Sequence, residues 1–125
     1  MWDAYVEFGE ADRSGLPIRQ QRLYAVLDLR QEVNSGGFDS YFRYWGGDTA
    51  EIALDALPEL LGEEWAVLLR DAVSLMGTPY PRATDDRAAI LDAGDFDDAL
   101  AALDDRLYRL EAVEDIDGRL AAHSY

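Results

Sequence analysis

The chain has 125 residues, one domain's worth of sequence and enough to bury a core without covalent staples. It carries 26 acids against 11 bases, a formal net charge of −15, and no cysteine, which excludes a disulfide framework and thiolate metal sites. Every base is Arg; a field of this sign repels nucleic acid and anionic membrane and attracts basic partners, while 49% apolar content excludes a disordered acidic tail.

In chain order, residues 2–8 form a weak helix candidate with Trp2, Tyr5, Val6 and Phe8 on one side, and residues 12–15 form a turn. Residues 1–20 lack the basic start and apolar run of a signal peptide, and no apolar run approaches the ~18 residues of a membrane span, so a cytoplasmic protein is expected. Pro17 suits a first helical turn, where its missing N–H costs nothing. Ile18, Tyr24, Val26, Leu27, Leu29 and Val33 then predict a helix to about Val33, stopped by Asn34 and the glycines Gly36 and Gly37. Phe38, Tyr41, Phe42 and Trp45 follow at spacings of 3, 1 and 3, one face of a short helix whose rings are expected in the core.

Gly46-Gly47 is expected to end that helix. Asp48 with Glu51 three residues later resembles a capping box with Asp48 as N-cap. Ala50, Ala53, Leu54, Leu57, Leu60 and Leu61 carry the next helix, and Gly62 stops it. Trp65, Leu68, Leu69, Ala72, Val73 and Met76 carry another, before a proline-punctuated loop over residues 77–81. A short helix is predicted over 85–93, ended by Gly94. Phe96, Leu100, Leu103, Leu107 and Leu110, spaced 4, 3, 4 and 3, give the cleanest amphipathic stripe, and residues 113–122 form a last short helix. With no strand pattern and no internal repeat, the expected fold is all-α: a single domain, residues 1–125, built as a compact array of six to eight short helices.

The stretches "LPIRQQRLYAVLDLRQEVNSGGFDSYF" and "GGDTAEIALDALPELLG", residues 16–42 and 46–62, resemble a bacterial domain family named after DNA mimic protein 19. That family has a helix ending in Val-Asn-Asn-Gly-Gly-Phe, then Tyr-Phe, then Gly-Asp before an Ala-rich helix and a Gly. Val33, Asn34, Gly36, Gly37, Phe38, Tyr41, Phe42, Gly47, Asp48 and Gly62 match; Ser35 replaces the second Asn, and Tyr44 stands where the family often has another. The resemblance implies an all-helical domain, and a role like the founding member's: an acidic protein that imitates DNA and occupies a DNA-binding protein.

Mimicry needs carboxylates in rows. Asp48, Glu51, Asp55 and Glu59 lie at spacings of 3, 4 and 4, with no Arg between residues 44 and 69 to interleave them. Neighbours on such a row stand ~4.5–6 Å apart along the axis, sparser than the one charge per ~3.4 Å of a DNA strand, so a second row must lie beside it. Residues 85–117 offer one, with twelve acids and three Arg, a net of −9 over 33 residues. Its members are Asp85, Asp86, Asp92, Asp95, Asp97, Asp98, Asp104, Asp105, Glu111, Glu114, Asp115 and Asp117. The competing interpretation is a solvated coat, arising from salt adaptation or genome composition.

Enzyme chemistry has little to stand on. His123 is the only His, no Cys/His set can bind zinc, and no phosphate loop or dinucleotide fingerprint is present. Asp115-Ile-Asp117-Gly118 resembles part of a calcium loop, but in that register Val113 and Ser124 would occupy ligand positions. No metal, cofactor or catalytic residue is therefore expected. The expected partner is a basic, DNA-binding protein, with no direct nucleic-acid or membrane binding. An immunity or antitoxin-type protein that blocks a basic toxin is the alternative, and an acidic scaffold a third. Monomer and dimer both remain open.

Overall fold

The computed structural model describes residues 13, 15–113 and 115–122. The helix candidate at residues 2–8, Glu114 and His123 lie outside the described residues. Among those described there are six α-helices, one 3-10 turn and no strand: α1 (Ile18–Arg43), the 3-10 turn Trp45–Thr49, α2 (Ala50–Leu60), α3 (Glu63–Ser74), α4 (Thr84–Ala93), α5 (Asp97–Val113) and α6 (Ile116–Ala121). The expected all-α array is what the chain forms. None of these helices is long and apolar enough to cross a membrane.

The centre of the fold is α1. Residues 23–29 are seven consecutive buried positions, so this helix is covered all round rather than on one stripe. The 3-10 turn, α2, α4 and α5 all pack against it. Its start differs by one residue from the sequence expectation: Pro17 is the N-cap, in an extended conformation, and its carbonyl accepts the N–H groups of Gln20 and Gln21. Ile18, expected on the apolar face, is 69% exposed because this first turn projects beyond the core.

The stop expected after Val33 comes three residues later and is a break rather than an end. Gly36 (φ −155°) and Gly37 (φ 75°, ψ −177°) leave helical geometry, and the helix resumes at Phe38. Only glycine adopts the Gly37 conformation readily, and a Cβ there would press on the Asp104 carboxylate. The break redirects the chain so that Phe38, Tyr41 and Phe42 become fully buried. Their rings meet at centroid distances of 6.0, 6.1 and 5.4 Å. Burying one such ring contributes about 1.5–3 kcal/mol. Trp45 departs from the expectation. The helix ends at Arg43, Tyr44 is extended, and Trp45 begins the 3-10 turn, half-buried beside the Arg13 guanidinium at 5.7 Å. Gly46 and Gly47 therefore lie inside the 3-10 turn rather than ending a helix.

The chain then folds back. Leu61 and Gly62 both donate their N–H groups to the Leu57 carbonyl, and Gly62 (φ 109°) turns α2 into α3. The apolar faces expected for α2, α3 and α5 are buried, with Leu54, Val73, Phe96 and Leu110 packed at their edges. Val113 ends α5 exposed, and the last helix starts at Ile116, with Asp115 as its N-cap.

Candidate acidic interface

Two charged groups that sequence periodicity did not single out hold the elements together. Asp28 is fully buried on α1. Its carboxylate accepts two hydrogen bonds from Arg13, at 2.8 and 2.9 Å, and one from the Thr49 hydroxyl at 2.7 Å. Its signal in the sequence was a lone acid flanked by Leu27 and Leu29 in an apolar run. Arg87 is the other, with no exposed surface. It donates to the carbonyls of Phe42 (2.7 Å), Tyr44 (3.0 Å), Pro81 (3.1 Å) and Arg82 (2.6 Å), and to Asp48 Oδ1 at 2.6 Å. Tyr80 lies against it, 5.7 Å from ring centroid to guanidinium, and donates its hydroxyl to the Gly47 carbonyl at 2.6 Å. Burial pushes the Tyr80 hydroxyl up, which keeps it a donor.

This arrangement corrects the capping box. Asp48 lies in the 3-10 turn, the N-cap of α2 is Thr49, and no side chain caps that helix. The Asp48 carboxylate is instead spent on Arg87. The rest of the row is treated in the same way. Glu51 pairs with Arg82 at 2.7 Å and Glu59 with Arg22 at 3.1 Å. Asp55 alone is exposed without an ion pair among the described residues, although Arg22 reaches its backbone carbonyl at 3.4 Å. The row lacks arginine in sequence but not in space: α1, α4 and the loop before α4 each supply one.

The second group divides by use. Glu111 holds Arg30 through two bonds of 2.7 and 2.8 Å, and Asp117 joins the same guanidinium at 2.9 Å. Asp92 meets Arg43 at 3.0 Å, and Arg43 also holds Asp39 at 3.0 Å, which ties α4 to the second limb of α1. Asp115 caps the Gly118 N–H at 3.0 Å. Asp104 accepts the Phe38 N–H at 2.8 Å. Burial pushes the Asp104 carboxyl up, the Phe38 N–H opposes this, and the charges of Asp105 and Asp39 add to it.

Six members remain exposed and without an ion pair among the described residues: Asp85, Asp86, Asp95, Asp97, Asp98 and Asp105. Asp85 and Asp86 stand in the first turn of α4, Asp97 and Asp98 in the first turn of α5, where the positive end of the helix dipole favours them. Asp95 lies in the short link between the two helices. Asp105 stands about two turns further along α5 than Asp98.

Arg87 links the start of the first row to the second. Asp48 is held by Arg87, which shares the first turn of α4 with Asp85 and Asp86. The far end of the α2 row lies at Arg22, while Asp104 lies at Gly37, about 22 Å further along α1 at helical rise. Among the described residues, no three His, Cys, Asp or Glu side chains converge in a set able to hold a metal ion.

No curated protein and no solved structure matches this chain. A family model described as DMP19-like protein matches residues 14–124, nearly the whole chain, and the chain belongs to that family.

Proposed function

We propose that this chain is a non-enzymatic binding module whose surface carboxylates imitate the phosphates of DNA and so occupy a basic, DNA-binding protein. The observation that carries this reading is the distribution of unpaired charge. Most of the 11 arginines are engaged inside the molecule, and five of the carboxylates left without an ion pair, Asp85, Asp86, Asp95, Asp97 and Asp98, gather at the α4–α5 corner. A surface that steers and seats a cationic groove needs a region of one sign, where field lines converge. Membership in the DMP19-like family supports the same reading.

The test is retention from native lysate on the immobilised protein at ~50 and ~200 mM salt, with duplex DNA as competitor. A basic DNA-binding protein retained at the lower salt, released at the higher and displaced by duplex DNA is the expected result. A retained protein that duplex DNA does not displace would count against mimicry and leave only an acidic docking surface. The chain itself should give no gel shift with duplex DNA.

A further inference from the structure

The edge of α5 that faces α3 carries a different surface. Two adjoining hollows, of about 420 and 350 Å³, run along the seam between α3 and α5 and share Glu63, Glu64 and Leu110. Their floor is apolar, with Val67 38% exposed and Leu110 half-buried. Arg106 pairs with Asp71 at 2.9 Å while Leu110 lines the hollows with Glu63 and Glu64, so the two helices run antiparallel, and α3 faces the seam from residue 63 to residue 71, about 12 Å.

The two lips differ in sign. The α3 lip carries Glu63 and Glu64, and the α5 lip carries Arg106 and Arg109. Glu64 has no ion pair among the described residues, and Glu63 meets Arg70 only at 3.9 Å. Arg109 is exposed and has no ion pair or hydrogen bond among the described residues, whereas the other described arginines each have an ion pair or another interaction. In a chain with 26 acids to 11 bases, an arginine without an acid is the exception.

We infer that this seam is a docking groove for an amphipathic helix from a partner, one whose apolar stripe is flanked by basic residues on one side and acidic residues on the other. Two to three turns of helix match its length, and an apolar stripe at i, i+3/i+4 and i+7 would lie along the Val67–Leu110 floor. A uniformly basic surface would meet Arg109 unfavourably, so the inference does not depend on the function proposed for the acidic face.

The experiment uses the full chain and synthetic labelled helical peptides of about four turns, with one leucine stripe and three flank patterns. One has lysines on one flank and glutamates on the other, one has lysines on both, and one has glutamates on both. Fluorescence anisotropy should show the mixed-flank peptide binding best at moderate salt. Arg109→Glu replaces the unpaired cation of the α5 lip with an acid, leaving there only Arg106, which is paired with Asp71, and should weaken the mixed peptide about tenfold, the scale of reversing one or two exposed ion pairs. Glu64→Lys combined with Arg109→Glu exchanges one charge between the lips and should recover part of that loss. Val67→Asp, checked for unchanged helicity, should abolish binding of all three. Failure of the mixed peptide to bind, or an Arg109→Glu variant that binds it unchanged, would overturn the inference. So would sedimentation showing a dimer that Val67→Asp dissociates, which would give the groove to a second copy of this chain.

Discussion

Asp104, on α5, caps a helix to which it does not belong: its Oδ1 accepts the backbone N–H of Phe38 at 2.8 Å, across 66 residues of chain. The glycine pair breaks α1 and leaves the first N–H groups of its second limb without intrahelical partners. One of them finds a carboxylate supplied in trans. An acid that sequence periodicity assigns to a solvated face is thereby part of the joint that seats three aromatic rings.

That joint makes a stability prediction. Asp104→Ala should cost about 0.5–2 kcal/mol in urea unfolding, as loss of an N-cap does, while Asp104→Asn, which keeps an acceptor, should cost less. Gly37→Ala should cost about 1–3 kcal/mol, because its φ of 75° with ψ of −177° is a region that residues with a Cβ occupy only under strain. An Asp104→Ala variant as stable as the native chain would remove the cap from this account.

Arg87 makes a larger one. Removing it strands a buried set of carbonyls and frees Asp48, so Arg87→Ala should cost about 3–5 kcal/mol. Arg87→Lys should rescue little, because an ammonium cannot span five acceptors arranged around a planar fork. Thermal and urea unfolding of both variants, with near-ultraviolet circular dichroism on Tyr80 and its neighbours, would check this.

The pH dependence has an unusual local sign. Burial pushes the Glu32 carboxyl up, and the Asp28 carboxylate one turn earlier adds to it. A carboxyl raised in the folded state contributes stability that is fully present below its unfolded value, about 4.3, and lost as pH rises through the folded value. Glu32→Gln should therefore stabilise the protein at pH 7 by about 0.2–0.5 kcal/mol, the scale of one like-charge i,i+4 pair, and have no effect near pH 3. Denaturant midpoints of the two proteins across that range give the difference directly. A constant difference at all pH values would show that the carboxyl is not the cause.

The acidic face makes a comparison between its two rows. Asp97→Asn, Asp98→Asn and Asp105→Asn together remove unpaired charge, and should lower affinity for a basic partner, slow association and flatten the salt dependence. Asp55→Asn with Glu59→Gln should do less, because Arg22 already offsets Glu59. An exposed pair of that kind contributes about 0–1 kcal/mol, so the fold should survive its loss. Stopped-flow association at several salt concentrations separates the two variants. Equal effects from both would mean that internal pairing does not set which carboxylates recognise the partner.

The sequence by itself determined most of the helices, because each of α2 to α6 is short and begins or ends near a turn-forming residue, and α2, α3 and α5 show their buried faces as a local 3.6-residue period. It also showed that Gly36-Gly37 interrupts the chain ahead of buried rings, because a positive φ and an aromatic face are both local properties. It did not show that α1 is central, since a helix buried on every side has no period to detect. For the same reason Asp28 passed as one acid among 26, although burial makes its three hydrogen bonds obligatory. Above all, the sequence showed a row of four acids with no arginine near it, and the fold brought Arg22, Arg82 and Arg87 to three of them. Charge along a chain is fixed by sequence, but a carboxylate's freedom to meet a partner depends on which cations fold against it. In this protein those cations come from 31 to 39 residues away, a separation that no local pattern records.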